Sequence, residues 1–297
     1  MRMKMNKFQN IVIQRSVATK NLGNIKWMLP RSFASLWMTL ICAFFTACST
    51  TKNLPEGEIL YTGIDKLEVV NEDKTLAGVT ALTEVEAALA YAPNNAILGS
   101  SSLRWPIPFG LWVYNGFEKY QDKKGVGRWI FDHLGKSPVL MSSVNGETRA
   151  KVATNLLRDY GYFNGSVSYQ EVPQKNPKEA KVSYVIDMAQ PYFLDSIAYL
   201  RYPHYADSLI RSTHAQSVLK SGENFSVLKL EEERQRLSSL FRNHGYYYYR
   251  PEFTTYRADT LQKPGYVSLQ VVPRNGVPAE ARKQYYIGKT SVYLTGY

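Results

Sequence analysis

Leu156-Leu157-Arg158-Asp159-Tyr160-Gly161-Tyr162-Phe163 returns as Leu240-Phe241-Arg242-Asn243-His244-Gly245-Tyr246-Tyr247. The two Gly-Tyr pairs stand 84 positions apart, and the patterns on either side repeat with them. A repeat of this kind fixes the architectural unit before any single motif is weighed. Ahead of each pair lies a helical pattern. Val152, Ala153, Leu156, Leu157 and Tyr160 make an apolar stripe in the first copy, and Leu230, Leu237, Leu240 and Phe241 in the second. Each reads as an amphipathic helix with one face to bury. Ser226 suits the N-cap of the second helix. Gly161 and Gly245 suit the residue just past a helix end, where a left-handed backbone is needed.

After each glycine the period becomes two. Val167 and Tyr169 alternate with Ser166, Ser168 and Gln170. After a break at 173–178, Ala180, Val182, Tyr184 and Ile186 alternate with Lys181, Ser183 and Val185. The second copy has a strand over 252–257, a break around 258–265, then Val267, Leu269 and Val271. Each copy predicts a hairpin with one buried face. Upstream, 192–200 reads as a strand and 207–220 as a further helix. The unit is therefore strand–helix–helix–strand–strand, with two helices on a three-stranded mixed sheet and an α+β fold class. In the first copy the opening strand runs from Ile59 through Val69. A short helix follows at 83–89 with acids in its first turn, then an irregular insertion at 94–124 carrying Trp105, Phe109, Trp112, Tyr114 and Phe117, then a helix over 127–134. Long insertions of this kind are commonly functional.

Residues 1–47 hold seven basic residues and no acid, and end in a 13-residue apolar run, Phe33 to Phe45, ahead of Thr46-Ala47-Cys48. The run has signal-peptide length and is short for a membrane span. Met1 and Met28 are both possible starts. The net charge of +11 falls to +4 over residues 48–297, which argues against nucleic acid as a partner. Small residues ahead of Cys48 resemble a bacterial lipobox, which implies that Cys48 is lipidated and anchors the chain to a membrane.

The expected organisation is a signal peptide over 1–47, a lipidated tether over 48–57, a first unit over 58–190, a second over 191–283, and the start of a third over 284–297. That last piece is expected to be poorly ordered, because an opening strand without its helices cannot bury its face. No cofactor motif, metal-ligand spacing or nucleophile arrangement stands out. His133, His204, His214 and His244 read as surface or cap-adjacent residues. Tyr246–Tyr249 reads as a strand start with alternate tyrosines facing core and solvent rather than as a base-stacking platform.

The five-element unit, with Leu219, Gly222, Phe225-Ser226, Leu237, Leu240 and Gly245-Tyr246, resembles the polypeptide-transport-associated (POTRA) domain of the BamA/TamA family of outer-membrane assembly proteins. Cys48 followed by 49–58 resembles the TamA-like lipoprotein branch of Bacteroidetes. The resemblance implies a non-catalytic module at the outer membrane, lipid-anchored and facing the periplasm. It implies binding of unfolded outer-membrane polypeptides, or of a TamB-like periplasmic protein, by strand addition. Family members continue into further domains and a membrane barrel, so the expectation here is a truncated form. The candidate edge strands are Ser166, Val167, Ser168, Tyr169 and Gln170 in the first unit and Phe253, Thr254, Thr255 and Tyr256 in the second. Trp105, Phe109, Trp112 and Tyr114 form a candidate partner surface. Gly161, Tyr162, Gly245 and Tyr246 are structural. A rival reading is a lipoprotein scaffold or glycan-binding module, with Trp105 and Trp112 stacking on sugars.

Overall fold

The structure, a computed structural model, describes residues 49–294. Cys48 and the signal peptide expected over 1–47 lie outside the described residues. Six strands make two separate three-stranded sheets. In the first, β1 (Leu60–Val70) pairs in parallel with β3 (Glu179–Asp187), which pairs antiparallel with β2 (Ser166–Pro173). In the second, β4 (Phe193–Tyr199) pairs in parallel with β6 (Tyr266–Pro273), which pairs antiparallel with β5 (Thr254–Asp259). Both sheets are mixed, and both put the third strand of the unit in the middle, as an α+β tandem repeat requires.

Each sheet carries two helices and its own core. Against the first lie α1 (Leu76–Leu89) and α5 (Gly146–Asp159), which enclose Ala81, Val85, Leu89, Ala153 and Leu157 with Tyr61, Val182, Tyr184 and Ile186. Between them in sequence come α2 (Phe109–Phe117), α3 (Val126–Leu134) and the one-turn α4 (Met141–Val144). Against the second sheet lie α6 (His204–Ser212) and α7 (Val227–Asn243), which supply Leu209, Ile210, Leu230, Leu237 and Phe241 to a core with Val267, Leu269 and Val271. Burying these apolar faces is the main stabilising term of each unit.

The Gly-Tyr pairs end α5 and α7 in one way. Gly161 (φ +90°) and Gly245 (φ +96°) are left-handed. The N–H of Gly161 donates to Arg158 and that of Tyr162 to Leu157, at 3.0 and 2.9 Å. In the second copy Gly245 donates to Arg242 and Tyr246 to Phe241, at 3.2 and 3.0 Å. These are Schellman closures, and the following tyrosine packs down onto the helix end. Tyr162 is buried in the first core and Tyr246 in the second, where its ring meets Phe241 edge-on.

The same glycines form the joints. The N–H of Tyr192, which opens the second unit, donates to the carbonyl of Gly161 at 2.9 Å, and Phe163 packs on both Tyr192 and Phe225. At the other end the N–H of Tyr285 donates to the carbonyl of Gly245 at 2.7 Å. The start of the final segment is thus seated where the repeat requires. No strand forms over 290–294, and Tyr286, Ile287 and Leu294 are exposed.

Several local expectations need correction. Helix α1 starts at Leu76 rather than 83, because the Thr75 hydroxyl caps it by accepting from the Gly78 N–H, so Glu84 and Glu86 sit well inside the helix. Helix α6 covers His204–Ser212 and stops there. The Thr213 hydroxyl turns back to the Leu209 carbonyl, and a 3₁₀ turn at His214–Gln216 follows. Ser226 occupies the N-cap of α7 but its hydroxyl makes no capping bond. Val152 is exposed on α5. Tyr246–Tyr249 is a turn, with Tyr246 and Tyr249 buried three apart and Tyr247 and Tyr248 exposed.

A Cβ on Gly161 would lie 2.7 Å from the Phe225 carbonyl oxygen and would also be left-handed, whereas Gly222 (φ +84°) has open space around it. Gly161→Ala is expected to destabilise the chain by more than the roughly 1–2 kcal/mol that left-handed strain alone costs, and Gly222→Ala by about that amount. Urea unfolding of the two variants checks the order.

Candidate functional site

Each sheet has two outer edges, and the fold treats them differently. Along β1, the Tyr61 N–H donates to the Val139 carbonyl at 2.8 Å and the Met141 N–H to the Ile59 carbonyl at 2.8 Å. Farther on, the Arg104 guanidinium reaches the carbonyls of Thr62 and Ile64, at 3.4 and 3.1 Å. The insertion and the segment leaving it therefore cover the first half of this edge. In the second unit, the Leu194 N–H donates to Glu223 and the Phe225 N–H to Tyr192, both at 2.8 Å, so residues 222–225 cover the start of β4.

The opposite edges are β2 and β5, and neither has a further strand beside it among the described residues. On β2 the Val167 N–H points away from β3 and donates to the Thr154 hydroxyl of α5 at 3.0 Å. Strand alternation then turns the N–H groups of Tyr169 and Glu171 outward as well. Ser166, Ser168 and Gln170 are exposed, and Val167 and Tyr169 half-buried. On β5, Thr254 is buried, with its hydroxyl bonded to the Tyr249 hydroxyl at 3.0 Å. Thr255 and Tyr256 are half-buried, and the Tyr256 hydroxyl donates to the Leu230 carbonyl at 2.6 Å. Phe253 departs from its expected place in the strand: it ends a 3₁₀ turn, Pro251–Phe253, because Pro251 starts a helical turn easily and offers no N–H to a ladder.

The aromatic insertion is divided. Trp105 and Phe109 are more than half exposed. Trp112 and Tyr114 are half-buried; Tyr114 packs on Phe131 of α3 with ring centroids 5.2 Å apart, and the Trp112 indole N–H is buried. The four do not form one exposed surface. Trp129 of α3, 54% exposed and stacked on His133, is a further exposed aromatic side chain. The buried Asn115 amide donates to the Ser49 and Thr50 carbonyls at 2.8 and 3.2 Å, so α2 grips the chain directly after the candidate lipidation position.

One buried acid could be mistaken for a catalytic group. Glu233 is fully buried on α7. Arg236 grips it with two bonds of 2.8 and 2.5 Å, the Tyr199 hydroxyl donates at 2.6 Å and the Val218 N–H at 3.1 Å. Burial alone would raise its pKa, but Arg236, Tyr199 and the Val218 N–H together hold it below the usual carboxylate value. Burial and this carboxylate push Tyr199 up to about 12. The carboxylate is spoken for on both oxygens, which suits a structural tie between β4, the loop after α6, and α7. The four histidines are all exposed. Among the described residues no helix is long and apolar enough to cross a membrane.

No family model and no curated protein matches the chain. Solved structures similar to it include BamA POTRA3-5 of Haemophilus influenzae, 11% identical, with 75% of this chain and 100% of that one covered at a TM-score of 0.31. POTRA1-2 of the periplasmic domain of Omp85 from Anabaena is 14% identical, with 74% and 98% covered at 0.29. The N-terminal domain of Omp85 from Thermosynechococcus elongatus is 15% identical, with 73% and 63% covered at 0.29.

Because the Glu233 pKa is lowered on folding, its contribution to stability is present above the unfolded carboxylate value, about 4.3, and is lost as pH falls through the lower folded value. Stability is expected to decline as pH falls below about 4.3. Glu233→Gln is expected to lessen this dependence and, by leaving Arg236 without its partner, to cost about 3–5 kcal/mol at neutral pH. Thermal unfolding as a function of pH reads both effects.

Proposed function

We propose that this chain is the polypeptide-binding part of an outer-membrane assembly protein of the BamA/TamA kind, and that it works without catalysis. An extended client segment, or an extended segment of a TamB-like periplasmic protein, adds as a fourth strand beside β2 or β5. The observation that carries the reading is the asymmetry of the edges: in both units the beginning of the first strand is covered from within, and the hairpin strand has no further strand on its outer side among the described residues. Binding through main-chain hydrogen bonds tolerates many client sequences, which suits a protein that handles unfolded chains. The repeat and the order of elements support the same family reading.

The lipid anchor belongs to this proposal. Cys48 carries acyl chains, and the soluble part faces the periplasm. The hold of Asn115 on Ser49 and Thr50 supports it, because it keeps the folded body within a few residues of the anchor point. Cys48→Ser is expected to abolish partition of the mature protein into the detergent phase of a phase-separating detergent. Equal partition of the variant would rule the anchor out.

Titration of the purified residues 49–297 with an extended apolar-alternating peptide tests strand addition. Shuffling the peptide while keeping its alternation is expected to leave affinity nearly unchanged. N-methylation of two alternate amides removes two donors worth about 1 kcal/mol each and is expected to weaken binding by roughly thirtyfold. Affinity that survives N-methylation but follows side-chain order would overturn strand addition. Saturable binding on a glycan array in place of peptide binding would favour the scaffold reading built on Trp105.

A further inference from the structure

The two units differ at one place that their common plan makes comparable: the end of the sheet where the first strand runs into the first helix. In the first unit this end is closed. Asp73 stands two residues before the N-cap Thr75, and its carboxylate accepts the Tyr162 hydroxyl at 2.6 Å and the Thr75 N–H at 2.9 Å. The Thr75 hydroxyl in turn caps α1.

In the second unit the same positions are reversed in charge and left open. Arg201 stands two residues before the N-cap Pro203, where the first unit has Asp73. Pro203 has no side chain able to cap α6, so the first-turn N–H groups have no capping acceptor from that position. Tyr246, the counterpart of Tyr162, faces a cavity of about 370 Å³ instead of a carboxylate. The cavity has an apolar floor that includes Phe241, Tyr246 and Val277, and Arg201, Arg274 and Arg282 line it together. None of these three guanidiniums lies within 4 Å of a carboxylate among the described residues, and no acid lines the cavity. The nearest acid on α6, Asp207, is paired with Arg211.

We propose that this cavity binds a small amphiphile that carries an anionic head, a carboxylate or a phosphate, on an apolar body. The body fills the space over Phe241, Tyr246 and Val277. The head takes the position that the Asp73 carboxylate holds in the first unit, against the arginines and the open start of α6. Three features favour an anion independently: unpaired guanidiniums, which recognise carboxylate and phosphate through paired N–H groups; an uncapped helix start, whose dipole and free N–H groups attract negative charge; and a repeat partner that fills the same place with a carboxylate of its own. The volume lies within the range of small-molecule sites. Such a site gives the second unit a ligand-dependent role separate from strand addition at β5.

Calorimetric titration of residues 49–297 with 4-phenylbutyrate and with hexyl phosphate tests the proposal, and the tighter of the two identifies the preferred head group. Saturable one-to-one binding of at least one is expected. The neutral isostere 4-phenylbutanol is expected to bind at least about tenfold more weakly, as loss of a charged hydrogen bond implies. Arg201→Ala and Arg274→Ala, each checked for an unchanged unfolding midpoint, are expected to weaken the anionic probe about tenfold. Arg211→Ala, outside the cavity, is expected to leave it unchanged. Absence of saturable binding by both anions, equal binding of the alcohol, or indifference to both cavity arginines would overturn the site.

Discussion

The carbonyl of Gly161 is where the structure is held together along its length. A helix ends there because only a residue without a side chain enters the left-handed turn cheaply. The turn drops Tyr162 into the first core, and the same turn presents a main-chain oxygen to the N–H of Tyr192 at the head of the next unit. Helix termination, core packing and the joint between units are therefore consequences of one backbone conformation. Close approach of the Phe225 main chain adds a second reason for glycine at this point. Gly245 and Tyr285 restate the arrangement one unit later.

Against that shared frame, the differences between the units stand out as chemistry. The first unit ties its helix start with Asp73, Tyr162 and Thr75, and spends its extra chain on an insertion that covers the β1 edge with Arg104 and grips the segment after residue 48 with Asn115. The second unit has no such insertion. It covers its β4 edge with four residues and ties its helices with Glu233 and Arg236. A buried ion pair of this sort is weak evidence for stability gained, since desolvation offsets much of the attraction. Its clearer effect is to fix the loop after α6, whose Thr213 hydroxyl and Val218 N–H it engages.

Much of the fold was legible in the sequence because period and punctuation agreed. Alternation over 180–186 and 267–271 marked the two central strands, and Gly161 and Gly245 marked two helix ends. What was hidden depended on which side chain makes a particular bond, near in sequence or far. The start of α1 was misplaced because Glu84 and Glu86 look like first-turn acids, whereas the capping oxygen belongs to Thr75. The end of α6 was misplaced because a Thr213 hydroxyl, not a glycine, turns the chain. Which edge of each sheet lies covered follows from Arg104 and Glu223, and no local pattern announces that. Trp105 and Trp112 looked alike in composition, yet packing leaves the first outside and draws the second in. The charge reversal between Asp73 and Arg201 was present in the letters, but it gains meaning only once both are counted from their helix starts.

An unpartnered sheet edge is also a hazard to its owner, since it will accept a copy of itself as readily as a guest. Covering the first strand in each unit confines that risk to one side, so growth by stacking from both sides, the route to fibrils, is blocked near the start of every sheet. On the remaining side β2 finishes in Pro173, which has no N–H to offer, and β5 bears Arg257 and Asp259, whose charges disfavour an unmatched neighbour. The open margin therefore carries its own safeguards against self-association.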